Sequence, residues 1–151
     1  MIKKKLQGFT IIEVVLVLAI AGLIFLMVFI ALPTLQANQR DTQRRDDLSR
    51  FKAQLNQYTA NNKGKIPAAG CNAAGVQQFT EDYLKDNWND PKSGARYTCA
   101  TDVPSDPGSY YYATSSKCDG EAIVSAGTNS MRSFAVITKL EGSGKLCMDN
   151  Q

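Results

Sequence analysis

KKKLQGFTIIEVVLVLAIAGLIFLMVFIALP, residues 3–33, decides the fold. Nothing from Val14 to Leu32 is charged or strongly polar. As a helix rising about 1.5 Å per residue, that segment is long enough to cross a hydrocarbon core about 30 Å thick. Glu13 is the anomaly beside it. An ionised carboxylate in such a setting costs roughly 2.5 to 3.5 kcal/mol on insertion scales and usually has a partner and a task. Lys3, Lys4 and Lys5 fix the direction of insertion, because positive charge flanking a first apolar segment stays cytoplasmic. Everything after Leu32 is then expected outside. A secretory signal has an apolar core of about 7 to 15 residues before a small-residue cleavage site, and this run is longer. A plain uncleaved anchor would account for the lysines and the length, but it leaves Gly8, Phe9 and Glu13 without a role.

Gly8-Phe9-Thr10-Ile11-Ile12-Glu13-Val14 resembles the processing site of type IV prepilins and the related pseudopilins. The resemblance implies a basic leader, residues 1–8, cut between Gly8 and Phe9 on the cytoplasmic side by a prepilin peptidase. The same enzyme would then N-methylate Phe9. It also puts Glu13 at the family's acidic position, the fifth residue of the processed chain, where it neutralises the N-terminal amine of a neighbouring subunit during assembly. The physical argument agrees: two unpaired charges in an apolar bundle are each costly, and pairing them between subunits removes both penalties and sets axial register. On the residues alone Glu13 has another use, complementing the helix N-terminal dipole or snorkelling toward Lys3–Lys5 in the unprocessed chain.

Gly22 and Pro33 are candidate hinges, since glycine weakens a helix interior and proline removes a backbone donor. In the resembling family a glycine and a proline bound a stretch that loses helicity when subunits pack into a filament. Gly22 matches that glycine, while Pro33 lies about one turn (3.6 residues) later than the family's proline. Past Pro33 the sequence becomes polar, and the helix is expected to continue out of the membrane. Leu48, Phe51, Leu55 and Tyr58 recur at spacings of three and four and share one face. Asp41 with Arg45 and Asp46 with Arg50 are expected to pair one turn apart on other faces. Asn61, Asn62, Gly64 and Pro67 are stop signals that end the helix near Lys63.

The chain has 17 basic and 14 acidic side chains, and removing a leader with three lysines leaves 14 of each. Nucleic-acid binding calls for a basic stripe without interleaved acids. Arg40, Arg44, Arg45 and Arg50 are interrupted by Asp41, Asp46 and Asp47, so these residues are expected to form a solvated face or inter-subunit salt bridges, and no specific nucleic-acid partner is expected. No histidine is present to act as a base, and neither a phosphate-binding glycine loop nor a serine nucleophile elbow occurs. No enzyme, cofactor or metal is expected. Asp86, Asn87, Asn89 and Asp90 are rich in oxygen ligands, but their spacing is not that of an EF-hand and turn chemistry is expected instead.

From Ala68 onward the composition is that of a small globular head holding all four cysteines. A short helix is expected within Val76–Trp88, a turn at Asp90–Gly94, and strands at Arg96–Thr98, Ser109–Thr114, Ala122–Ser125, Arg132–Lys139 and Leu146–Met148. Such strands with short connections predict an antiparallel sheet that covers the Leu48–Tyr58 stripe. A head of about 85 residues has a small core, so cross-links would help it. Cys71, Cys99, Cys118 and Cys147 are even in number and lie beyond the membrane, which favours disulfides. Three connectivities are possible. We expect Cys71 with Cys99 and Cys118 with Cys147; the second resembles the disulfide that staples the C-terminal region of many pilins, and the first is an extrapolation.

The fold expected is α+β, a long N-terminal helix packed by its second half against a small antiparallel head, as in the pilin fold. Residues 1–8 are the leader, 9–33 the transmembrane and assembly helix, 34–64 its amphipathic continuation and 65–151 the head. The resemblance implies a pilus subunit for adhesion and motility, stored in the membrane with its head outside the cytoplasm and assembled into an extracellular helical homopolymer. Prepilin peptidase, the assembly platform and its ATPase machinery would be its partners. The alternatives are a pseudopilin or minor pilin of a secretion or DNA-uptake system, and a membrane-anchored binding module that never polymerises.

Overall fold

The computed structural model describes residues 8–72, 75–127, 130–142 and 144–151. The chain falls into two compact units, Met1–Gln36 and Ala37–Gln151. Helix α1 (Ile11–Asn61) begins in the first and ends in the second. In the first unit its large apolar side chains are exposed, Val17, Phe25, Phe29 and Leu35 among them, as is Phe9 just before it. The helix is long and apolar enough to cross a membrane, and its most apolar window has no residue buried within the chain. Gly22 and Pro33 both lie inside it.

In the second unit Leu48, Phe51 and Leu55 of α1 are fully buried, and Tyr58 packs against the same cluster. The helix stops at Asn61, two residues before the expected end. Lys63 and Gly64 turn the chain with φ of 55° and 80°, and the Gly64 amide donates to the Thr59 carbonyl at 2.8 Å, which closes the helix with a left-handed cap. Helix α2 (Val76–Tyr83) lies within the expected Val76–Trp88 and ends before Trp88. Trp88 instead sits in an irregular segment whose carbonyl accepts from the Tyr97 amide, and its ring is fully buried 5.3 Å from that of Phe51. Burying the indole in the core outweighs continuing the helix.

The main sheet has the order β1-β2-β5-β6, formed by β1 (Thr98–Ala100), β2 (Ser109–Thr114), β5 (Phe134–Lys139) and β6 (Lys145–Asp149). The β2–β5 and β5–β6 pairs are antiparallel, as expected, and the short edge strand β1 runs parallel to β2. The first strand also begins at Thr98, not Arg96, because the backbone around Arg96 is paired instead with the Trp88–Asp90 segment through an isolated Asn89–Arg96 bridge. A separate ribbon pairs β3 (Ser116–Asp119), which carries no apolar alternation and was not expected as a strand, with β4 (Ala122–Ser125). Gly120, with φ of 59°, opens the two-residue turn between them.

Alternation along β2 buries Tyr110 and Tyr112 and leaves Tyr111 half-buried. The first two, with Phe134 and Val136 of β5, cover the α1 stripe. Strand β5 is buried on both faces: Ala135 and Ile137 are also inaccessible, and the β3–β4 ribbon packs against β5 and β6. The cysteines pair as Cys71–Cys99, which joins the loop after α1 to β1, and Cys118–Cys147, which fastens β3 to β6.

Candidate functional site

Two places concentrate charge against an apolar setting, one in each unit. The first is the start of α1. Gly8 and Phe9 are exposed, Phe9 at 89 %. Among the described residues nothing lies within 4 Å of where a Cβ on Gly8 would stand, and the same holds at Gly22. Neither glycine is demanded by packing against the described residues. Thr10 precedes the helix, and its carbonyl accepts from the amides of Glu13 (3.1 Å) and Val14 (3.4 Å). In return the Thr10 amide and hydroxyl both donate to Glu13 Oε2, at 3.0 and 2.8 Å. Thr-x-x-Glu at a helix start is the sequence of a capping box, and here its Glu half is made: the carboxylate accepts from the Thr10 amide, while the Thr10 hydroxyl donates to the same carboxylate and the Glu13 amide bonds the Thr10 carbonyl. The Glu13 carboxylate is thus oriented by its own first turn while its flanks are apolar.

The second place is a buried ion cluster in the head, and here the sequence reading needs correction. Arg44 is fully buried, not solvated. Its Nη1 donates to Asp41 Oδ1 at 2.9 Å, its Nε to Asp90 Oδ1 at 2.8 Å and its Nη2 to Glu141 Oε1 at 2.9 Å. Arg40 grips Glu141 with two parallel bonds of 2.7 Å. Asp41 accepts the amides of Glu141 (2.8 Å) and Gly142 (2.9 Å), which ties the β5–β6 turn to α1. The ion pairs within the helix are Asp41–Arg44 and Asp47–Arg50, three residues apart, in place of the expected Asp41–Arg45 and Asp46–Arg50. One turn back from Leu48 the buried stripe passes through Arg44 and then Asp41, so the residues expected to be solvated occupy core positions. Extending the Leu48–Tyr58 period toward the N-terminus is the signal that would have found them.

Asp90 completes the cluster while its Oδ2 accepts the amides of Lys92 (3.2 Å) and Ser93 (3.0 Å), the turn role expected of it. Asp47 accepts from the Tyr97 hydroxyl at 3.1 Å. Among the described residues no group of three His, Cys, Asp or Glu side chains could hold a metal ion. The cluster's carboxylates are taken up by guanidinium and amide donors, which suits a structural clasp and leaves none placed as a general base.

These contacts shift the carboxyl groups. The Arg40 guanidinium, opposed by burial and reinforced by Arg44, holds Glu141 at about 2, against an ordinary 4.5. Burial pushes Asp41 up, but the Gly142 and Glu141 amides and Arg44 hold it below its usual range. At Asp90 burial is likewise overcome by the Ser93 amide and Arg44. Asp47 goes the other way, raised by burial against the pull of Tyr97 and Arg50. Groups depressed in the folded state add stability that is present above their unfolded values and is lost as pH falls through the folded ones. Head stability should therefore drop from about pH 4.5 down to about 2, offset in part by Asp47, whose raised value penalises only the charged form. Melting temperatures at pH 7, 5, 3 and 2 check this, and a flat profile down to pH 2 would count against the cluster.

No curated protein and no solved structure matches the chain. Residues 3–29, however, match the family model described as the prokaryotic N-terminal methylation motif, so the chain carries the class III signal peptide of type IV prepilins.

Proposed function

We propose that this chain is the precursor of a type IV pilus subunit, stored in the membrane through α1 and assembled into an extracellular helical homopolymer used for adhesion and motility. Its role is structural, with no catalytic step of its own. Prepilin peptidase cleaves between Gly8 and Phe9 and methylates the new Phe9 amine. The assembly platform and its ATPase then extract the subunit. Glu13 pairs with the Phe9 amine of a neighbouring copy, and Gly22 and Pro33 bound the stretch that adjusts as helices pack.

The observation that carries this reading is the apolar surface running along α1 from Ile11 to Leu35, uncovered within one chain and interrupted by one carboxylate. A membrane covers such a surface before assembly, and other copies of the same helix cover it afterwards. The charge at Glu13 requires a counter-charge in either setting, and the cleaved amine of a neighbour supplies it.

Intact mass and N-terminal sequence of protein from sheared surface filaments, without reductant, test the proposal. The expected species starts at N-methylated Phe9 and is short by the four hydrogens of two disulfides. A chain that still begins at Met1, or is absent from filaments, would point to a membrane-anchored module. Processing at Phe9 without abundant filaments would assign the protein to a pseudopilin or minor-pilin role.

A further inference from the structure

The geometry points to a binding site for an acidic saccharide on the sheet face turned away from the core cluster, built from Lys139, Lys145 and Tyr111. It goes beyond the reading above, because binding there is a property of the head whether or not the chain polymerises. Strand register brings the residues together. Lys139 of β5 and Lys145 of β6 stand directly opposite each other. Tyr111 of β2 pairs with Ile137, two residues before Lys139, which makes it the lysine's diagonal neighbour at about 7 to 8 Å. Tyr110, Tyr112, Val136, Leu146 and Met148 pack in or against the core cluster, so alternation sends Tyr111, Lys139 and Lys145 to the other face.

Like charges directly opposite in a ladder destabilise a sheet. Here the repulsion has no compensation: among the described residues neither lysine forms an ion pair. Glu141 is taken by Arg40 and Arg44. Glu121 accepts the Lys145 amide at 3.2 Å and lies over Gly144, and it pairs with neither ammonium group. Both lysines and Tyr111 are half-buried. Long cationic side chains in that state lay their stems on the protein and keep the ammonium in water. An anionic group between the two ammoniums replaces the repulsion with two charge-assisted hydrogen bonds. The tyrosine ring beside them is an apolar plate for the C–H face of a sugar ring. Thr98 and Ser109, paired across β1 and β2 on the same face, add hydroxyls that match those of a sugar. A pyranose carrying a carboxylate or sulfate meets all three features. A nucleic acid fits less well, since two cations with Glu121 alongside are too few for the run of phosphate contacts that carries its binding.

Calorimetric titration of the full chain in detergent tests this with tetragalacturonate, a heparin tetrasaccharide, uncharged cellotetraose and an oligothymidylate of the same charge as tetragalacturonate. One or both acidic tetrasaccharides should bind about tenfold or more tighter than cellotetraose and the oligothymidylate, the scale of one hydrogen bond to a charged group. Lys139→Gln and Lys145→Gln should each weaken that binding by about tenfold. Tyr111→Ala should weaken it by a similar factor, and Tyr111→Phe should stay within about twofold of the parent because the ring is kept. Lys145→Gln should also raise the urea midpoint of the free chain by relieving the repulsion, a gain that damage to the fold would not produce. Binding of neither acidic saccharide, equal binding of cellotetraose, tighter binding of the oligothymidylate, or parental affinity in both lysine variants overturns the inference. Lost binding with a lowered urea midpoint in both lysine variants also overturns it, by assigning the pair to the fold.

Discussion

Replacing Arg44 with alanine should destabilise the head by about 3 to 5 kcal/mol, the range measured when one member of a buried ion group is removed. The reason is geometric. Arg44 is fully buried and is the hub on which Asp41, Asp90 and Glu141 converge. Without it Asp41 and Asp90 lose their guanidinium partner while keeping most of their burial, and Glu141 retains only Arg40. Typical domains have only about 5 to 15 kcal/mol in total, so much of the margin disappears. Urea unfolding of the full chain in detergent, followed by tryptophan fluorescence from Trp88, would measure the change. Adding Asp41→Asn, Asp90→Asn and Glu141→Gln to Arg44→Met should recover part of the loss, because the cost comes from stranded charge and not from a missing contact. An Arg44→Ala head within about 1 kcal/mol of the parent would mean that water reaches the cluster and replaces the guanidinium.

Removing the Cys118–Cys147 bridge as a double serine variant should cost about 3.5 kcal/mol on the chain-entropy model, given a sequence separation of 29. The structure gives this bridge an added consequence. It fastens β3 to β6, and the β3–β4 ribbon packs against β5, whose Ala135 and Ile137 are fully buried on the face turned away from the core cluster. Loosening the ribbon therefore puts the central strand in contact with water on one side. The variant should show a lower urea midpoint and faster amide exchange at Ala135 and Ile137 than a Cys71→Ser/Cys99→Ser variant. Equal protection of those two amides in both variants would sink the ribbon argument.

How much of this was readable in the chain depends on whether chemistry followed a period. The membrane-length run, the processing motif and the Leu48–Tyr58 stripe are patterns in apolar or distinctive residues, and the fold follows from them. Asp41 and Arg44 obey the same period with the opposite polarity, so a reading keyed to hydrophobicity places them in solvent. Only the convergence of Asp90 and Glu141, distant in sequence, makes their burial tolerable. The ribbon strand Ser116–Asp119 has no apolar alternation because a disulfide and a backbone ladder hold it. The parallel β1 hides for a related reason: three residues carry too little pattern, and their position is set by Cys71 and by Ser109–Tyr111. Thr10 is legible in hindsight as the first member of Thr-x-x-Glu, although in a motif known for its glycine and its acid it reads as spacer.

The two disulfides also determine how the head would respond to tension. A pull that follows the backbone out of α1 meets Cys71 and crosses directly to Cys99, and later crosses from Cys118 to Cys147. The segments between, with sequence separations of 28 and 29, are bypassed by covalent bonds. Each would otherwise add roughly 100 Å of extensible chain at about 3.5 Å per residue. Helix α2, Trp88 and the whole of β4 and β5 lie inside those shielded lengths. A stretched head would therefore stay short while oxidised and pay out its hidden length only after reduction, so that redox state, more than the strength of the core, sets how far the head can be drawn out.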